Sequence, residues 1–204
     1  ILLIVITLTM SMMISCNKDN TIPNAYIETE IRLSTGINLS RAAFTGTDTQ
    51  IPYGEEVAVW VDQVQSAPSQ LYGLNTLIAN GNGGLSGGAT MFFPSNGNNI
   101  DIYALHTNAT LPHSTYPTSE LTHTVNADQR TLEDYVASDL LYAKAINIAK
   151  TENAIPLTFY HQLSKLQVAI VLIEGLTTSD IQSVTIKGTK RSGNFTLNKS
   201  TAPN

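Results

Sequence analysis

Val57-Ala58-Val59-Trp60-Val61 is the stretch from which the fold is read. Valines two apart share one side of an extended chain, and Ala58 and Trp60 take the other, the period of a β-strand rather than a helix. Ile100 to His106 (IDIYALH) alternates in the same way. Upstream, Tyr26 to Leu33 sets Ile27, Ile31 and Leu33 against Glu28, Glu30 and Arg32, which predicts a first strand over Ile27–Leu33. Downstream, Leu157–His161 and Leu166–Ile173 read as two buried strands, or as one long strand broken near Gln162–Lys165. Val184–Lys187 and Phe195–Leu197 suggest a hairpin joined through Gly188 to Gly193.

Punctuation falls between these runs: Pro52-Tyr53-Gly54, the Gly- and Asn-rich stretch Asn80 to Gly88, and Pro94 to Asn99. Thr131–Leu141 is the single helix-like stretch, worth one or two turns. Many short strands with Gly, Asn and Pro turns predict an all-β sandwich with one short helical turn region.

The composition agrees with that class. Charged residues make up 13% of the 204 residues, against roughly 25% in average soluble proteins. The net charge of −5 argues against a nucleic-acid partner, which needs a basic footprint to displace counterions. Cys16 is the only cysteine, so no internal disulfide forms.

Residues Ile1–Ile14 form an apolar run too short to span a bilayer comfortably, and a polar segment follows at once. The run fits the apolar part of a secretory signal whose basic start is missing. Met13-Ile14-Ser15-Cys16 resembles the lipobox of bacterial lipoproteins, with Met13 where Leu is usual and a small Ser15 before the cysteine. Cys16 is therefore the candidate lipidation site. Residues 1–15 are read as a lipoprotein signal peptide, 16–25 as a lipidated tether and 26–204 as the folded domain. Asn17-Lys18-Asp19-Asn20 resembles the signal that exports Bacteroidetes lipoproteins to the outer face of the outer membrane.

The residues give no sign of catalysis. None of His106, His113, His123 and His161 has a metal-binding companion at an HExxH spacing. His113 and His123 sit in a polar stretch and read as solvated; His106 and His161, at strand ends, read as hydrogen-bonded structural residues. The stretch Gly81 to Gly88 lacks the Lys-Ser/Thr of a phosphate loop, and no Gly-x-Ser-x-Gly elbow occurs. Asp101, Asp128, Asp134 and Asp139 do not form a calcium loop. The reading is a non-enzyme, with no catalytic, cofactor-binding or metal-binding residue assigned.

A series of blocks carries a family resemblance. Ile100 to His106, Ser138 to Lys144 (SDLLYAK), Leu157 to Val168 (LTFYHQLSKLQV), Arg41-Ala42-Ala43-Phe44 and Tyr53 to Val59 resemble, in order and spacing, the fimbrillin-like family of Bacteroidetes, which includes the type V pilins. Glu55 stands where that family commonly has Asp. The resemblance implies a transthyretin-like Greek-key β-sandwich and a fimbrial (pilus) subunit or adhesin, lipid-anchored at the outer membrane on the cell surface. It implies other fimbrial subunits as partners, with a host or bacterial surface glycan or protein as a further one. It also implies that residues 26–204 are the N-terminal domain and that a C-terminal domain lies outside this chain.

In pilins of the family a trypsin-like or Arg-specific protease removes the first strand, and a donor strand from the next subunit fills the groove, a form of β-augmentation. Carried onto this chain, the strand removed is Ile27–Leu33 and the candidate processing site is Arg41, while Arg32 lies within the strand. The alternative reading is a surface glycan-binding lipoprotein that does not polymerise, with Trp60, Tyr72, Tyr103, Tyr116 and Tyr135 as the rings available for stacking. Trp60, alternating with valines, equally suits a core position.

Overall fold

A computed structural model describes residues 28–38, 49–67, 69–111, 116–117, 120–164, 166, 168–197 and 199–200. The elements run β1 (Leu33–Ile37), β2 (Glu56–Gln63), β3 (Gln70–Ala79), β4 (Leu85–Ser86), β5 (Ile100–His106), β6 (Leu121–Thr124), α1 (Leu132–Ala137), β7 (Leu141–Ile148), β8 (Ile155–His161), a 3₁₀ turn (Thr178–Asp180) and β9 (Ser192–Phe195).

Seven strands form one sheet in the order β1-β8-β7-β5-β2-β3-β4, and β6 pairs with β9 in a second, two-stranded sheet. All the named pairs are antiparallel except β1 with β8. The large sheet curls until its two edges meet. Ser34 of β1 bridges Gly84 beside β4, and the Thr35 N–H donates to the Gly83 carbonyl at 2.7 Å. Closure of this kind leaves few edge groups to seek another chain.

Two cores follow from the alternation. Val57, Val59 and Val61 of β2 join Ile100, Ile102 and Ala104 of β5, Ala143 of β7, and Leu157 and Phe159 of β8 inside the curl. On the other face, Ala58, Trp60, Tyr103, Leu105 and Tyr142 pack with Tyr116, Leu121, Leu140 and Leu197, which bring the small sheet over them as the second layer. The middle strands β2 and β5 are therefore buried on both faces, so Trp60 sits in the core at 1% exposure. The all-β sandwich reading agrees with these elements.

Several boundaries differ from the expectations. The helical segment is six residues, capped by the Thr131 hydroxyl, which accepts from the Asp134 N–H. Leu141 instead begins β7. The first strand is Leu33–Ile37 rather than Ile27–Leu33, preceded by a single bridge from Glu30 to Phe92. Leu166–Ile173 and Val184–Lys187 form no strand among the described residues. Their alternation is strand-like, but the large sheet has closed its edges with β1 and β4, and none of the described residues pairs with them. Phe195 pairs with Leu121 of β6 and not with the 184–187 stretch.

Candidate functional site: the first strand and the surfaces beside it

The chain from residue 29 to 38 lies as an insert between two partners. On one side β1 runs parallel to β8, with Leu33 opposite Ile155 and Ile37 opposite Phe159. The Ile155 N–H donates to the Arg32 carbonyl and the Asn38 N–H to the Phe159 carbonyl, both at 2.8 Å. On the other side the Ile31 N–H donates to the Met91 carbonyl (2.8 Å), and the Phe93 N–H to the Thr29 carbonyl (2.9 Å). Ile31, Leu33 and Ile37 point into the inner core with Ile51, Met91, Phe93, Ile155, Leu157 and Phe159. Full burial of such a side chain contributes about 1.5–3 kcal/mol, so this short insert contributes strongly to closing the sheet. Arg32 has its carbonyl in the ladder and its guanidinium exposed beside Glu30, at 3.3 Å. Arg41, Cys16 and residues 1–25 lie outside the described residues, as does Ile27.

The second notable surface is the stretch after β8. Leu166, Val168, Ile170, Val171, Ile173, Leu176, Val184 and Ile186 are all exposed, Val171 at 90%. So many exposed apolar side chains in one stretch are uncommon on a monomer.

The third is an aromatic cluster on the outer face. Trp60 meets Tyr116 edge to face with centroids 5.4 Å apart, Tyr103 lies 5.1 Å from Tyr116, and the Tyr116 and Tyr142 hydroxyls are 3.1 Å apart. Lys199 Nζ stands 4.9 Å from the Tyr103 ring centre and 4.7 Å from that of Tyr116, in an ion pair with Asp62. Burial is the main cause that pushes the Tyr103 phenol far above the ordinary tyrosine range, with Asp101 and Asp62 adding to it. Tyr116 is raised by burial first and then by its hydrogen bond to Tyr142. Burial also raises Tyr142, partly offset by that same bond. All three stay neutral at ordinary pH.

This arrangement corrects the five-ring stacking platform. Trp60, Tyr103 and Tyr116 are buried and offer no face to a sugar, and Tyr72 is half-buried, with its hydroxyl accepting from the Phe92 N–H at 2.9 Å. Tyr135 is half-buried on α1. Among the described residues the exposed aromatic ring is Tyr53, beside a shallow cleft of about 340 Å³ lined by Gln50, Asn80 and Asn82 among others.

The histidines divide differently from the sequence reading. His123 is buried on β6, where its ring bridges the Thr107 hydroxyl (2.8 Å) and the Ser138 carbonyl (3.0 Å), so it is not solvated. His113 lies outside the described residues. His106 is buried with Nδ1 3.0 Å from the Glu56 carbonyl, and His161 Nδ1 lies 2.8 Å from Asp139. Both are hydrogen-bonded structural residues. Among the described residues no group of three or more His, Cys, Asp or Glu side chains is placed to hold a metal ion, and no helix is long and apolar enough to cross a membrane.

Sequence reasoning missed Asp62 and Lys199. They are 137 residues apart, and no local pattern joins them.

Residues 40–204 match the family model described as Fimbrillin-like. No curated protein matches the chain. Among solved structures, the chain is similar to a fimbrial protein from Bacteroides ovatus ATCC 8483, at 15% identity and a TM-score of 0.38. The match covers 66% of this chain and 28% of that one, so this chain spans well under two thirds of that protein's length.

Proposed function

Because this chain belongs to the fimbrillin-like family, we propose that it is a fimbrial subunit of the cell surface, brought to the outer membrane by lipid on Cys16 and joined to other subunits once cleavage after Arg41 removes that lipid together with the first strand, whose place a donor strand takes. The observation that carries this reading is the insert at residues 29–38. It contributes three buried apolar side chains and is flanked on both sides by main-chain hydrogen bonds. Its removal leaves the β8 edge and the 91–93 edge unpaired, on either side of an apolar trough lined by Met91, Phe93, Ile155 and Phe159. A strand from another subunit, apolar at alternate positions, has what that trough requires: main-chain groups for affinity and side chains for register.

Processing falls at Arg41, on the chain between β1 and β2. Arg32 is protected because its carbonyl is engaged by Ile155. The exposed apolar run from Leu166 to Ile186 supports assembly as well, since an unpaired strand-patterned segment is a ready partner for another chain.

The test is limited trypsin digestion of folded residues 16–204, followed by intact mass and by size. Early cleavage after Arg41, with oligomers growing as concentration rises, supports strand exchange. A folded protein that resists cleavage at Arg41 and stays monomeric overturns that mechanism and favours an unprocessed anchor or tip. Lipidation is tested separately in cells by incorporation of labelled fatty acid, which Cys16→Ser abolishes.

A further inference from the structure

The aromatic cluster holds a feature that the fimbrial reading does not use. Asp62 is only 6% exposed, yet it sits on the outer face of β2 among rings rather than at a polar rim. One of its oxygens meets the Lys199 ammonium; the other, Oδ1, is buried and has no hydrogen-bond partner among the described residues. The indole Nε1 of Trp60, in the same cluster, is likewise buried without a partner. Tyr103 and Tyr116 turn their faces to the same ammonium, and the bond between the Tyr116 and Tyr142 hydroxyls fixes the second ring. Lys144 Nζ donates to the Lys199 carbonyl at 3.0 Å, which holds the backbone that delivers the side chain.

One buried carboxylate with an open acceptor, flanked by two ring faces, suits a compact cation with several N–H donors on an apolar stem. A primary alkylammonium has three donors, and ring faces attract it most strongly where water is excluded. An ordinary surface ion pair lacks both the buried anion and the rings, and contributes little.

We propose that Asp62, Tyr103 and Tyr116 form a lysine-binding site, a seat for a primary alkylammonium ion, which Lys199 fills from within the same chain to latch β9 onto the outer face. The latch is needed because β9 is four residues long, pairs among the described residues with β6 alone, and has Leu197 as the buried apolar anchor of its segment. Lys199, two residues beyond Leu197, supplies a second anchor on the central strands.

The test uses the full chain. Lys199→Ala opens the seat, and titration with n-butylammonium chloride then gives a saturable change in the fluorescence of Trp60, the only tryptophan. Sodium chloride at equal ionic strength gives none, wild type gives none, and adding Asp62→Asn removes the response. In the same variant the amides of Ser192–Phe195 exchange about ten-fold faster than in wild type, the loss of one cation–π contact from a partly exposed ammonium and of its ion pair. No saturable response in Lys199→Ala, or an equal response in the double variant, overturns the site. Should Lys199→Ala not fold, Lys199→Met keeps the apolar stem and decides by exchange alone: faster exchange at Ser192–Phe195 supports the seat, and an unchanged rate overturns it.

Discussion

Raising the pH above 10 attacks this protein from its outer-face core. Tyr103, Tyr116 and Tyr142 are each nearly inaccessible, and each phenol is raised above the ordinary value of 10.0 with burial as the leading cause. A raised folded value means that the unfolded chain gives up its protons first. The stability these groups contribute is therefore complete below pH 10 and is lost as the pH climbs from there toward the folded values. Each tyrosine contributes at most about 1.4 kcal/mol per pH unit, so three contribute at most about 4 kcal/mol per unit. Against a typical domain stability of about 5–15 kcal/mol, most of the margin is gone within about two or three pH units. Urea unfolding followed by Trp60 fluorescence at a series of pH values gives the slope. A parallel absorbance titration counts tyrosinate. At least three of the eight tyrosines should remain un-ionised until Trp60 reports unfolding. If all eight ionise together near pH 10 while Trp60 keeps its folded emission, the burial argument is wrong.

Three further outcomes are expected. Phe159→Ala, at a fully buried position opposite Ile37, costs about 3–5 kcal/mol in a denaturant titration. It should also make residues 33–37 exchange faster than the rest of the sheet. Gly88→Ala is destabilising by more than about 1 kcal/mol: φ is +68°, and a Cβ would fall 2.4 Å from Asn75 Oδ1 and 2.7 Å from the Thr76 carbonyl. It should lower the thermal midpoint, whereas Gly97→Ala, with open space around it, should lower it less. Val171→Asp, at a 90% exposed position, should leave the unfolding midpoint within about 0.5 kcal/mol of wild type while reducing concentration-dependent association in sedimentation.

Alternation located β2 and β5 because both strands have neighbours on each side, so every inward residue finds a core. It failed at β1. Ser34-Thr35-Gly36 lacks apolar alternation, and it is extended because β8 and residues 83–84 engage its main chain. It failed in the opposite sense between Leu166 and Ile186, where the pattern is present and no ladder is. β3 was passed over because its inward positions include Asn75. That side chain is satisfied by accepting from the Ala89 N–H (2.9 Å) and donating to the Ala89 carbonyl (2.8 Å), taking the place of a neighbouring strand. His123 looked solvated because its ring is held by Thr107 and Ser138, 16 and 15 residues away on either side, a contact that no local pattern shows. The family blocks were legible as an ordered series, whereas the Lys199 seat depends on which residues β2 and β5 bring side by side.

The parallel pairing of β1 with β8 has a mechanical consequence. In such a pair, tension that draws β1 backward by its N-terminal end and β8 forward by its C-terminal end slides the two strands lengthwise. Every hydrogen bond of the ladder then carries load at once, whereas an antiparallel hairpin pulled from its open end parts one bond at a time. Pulled between residues 28 and 161, the domain should therefore yield in one abrupt, high-force event, the behaviour of a shear clamp.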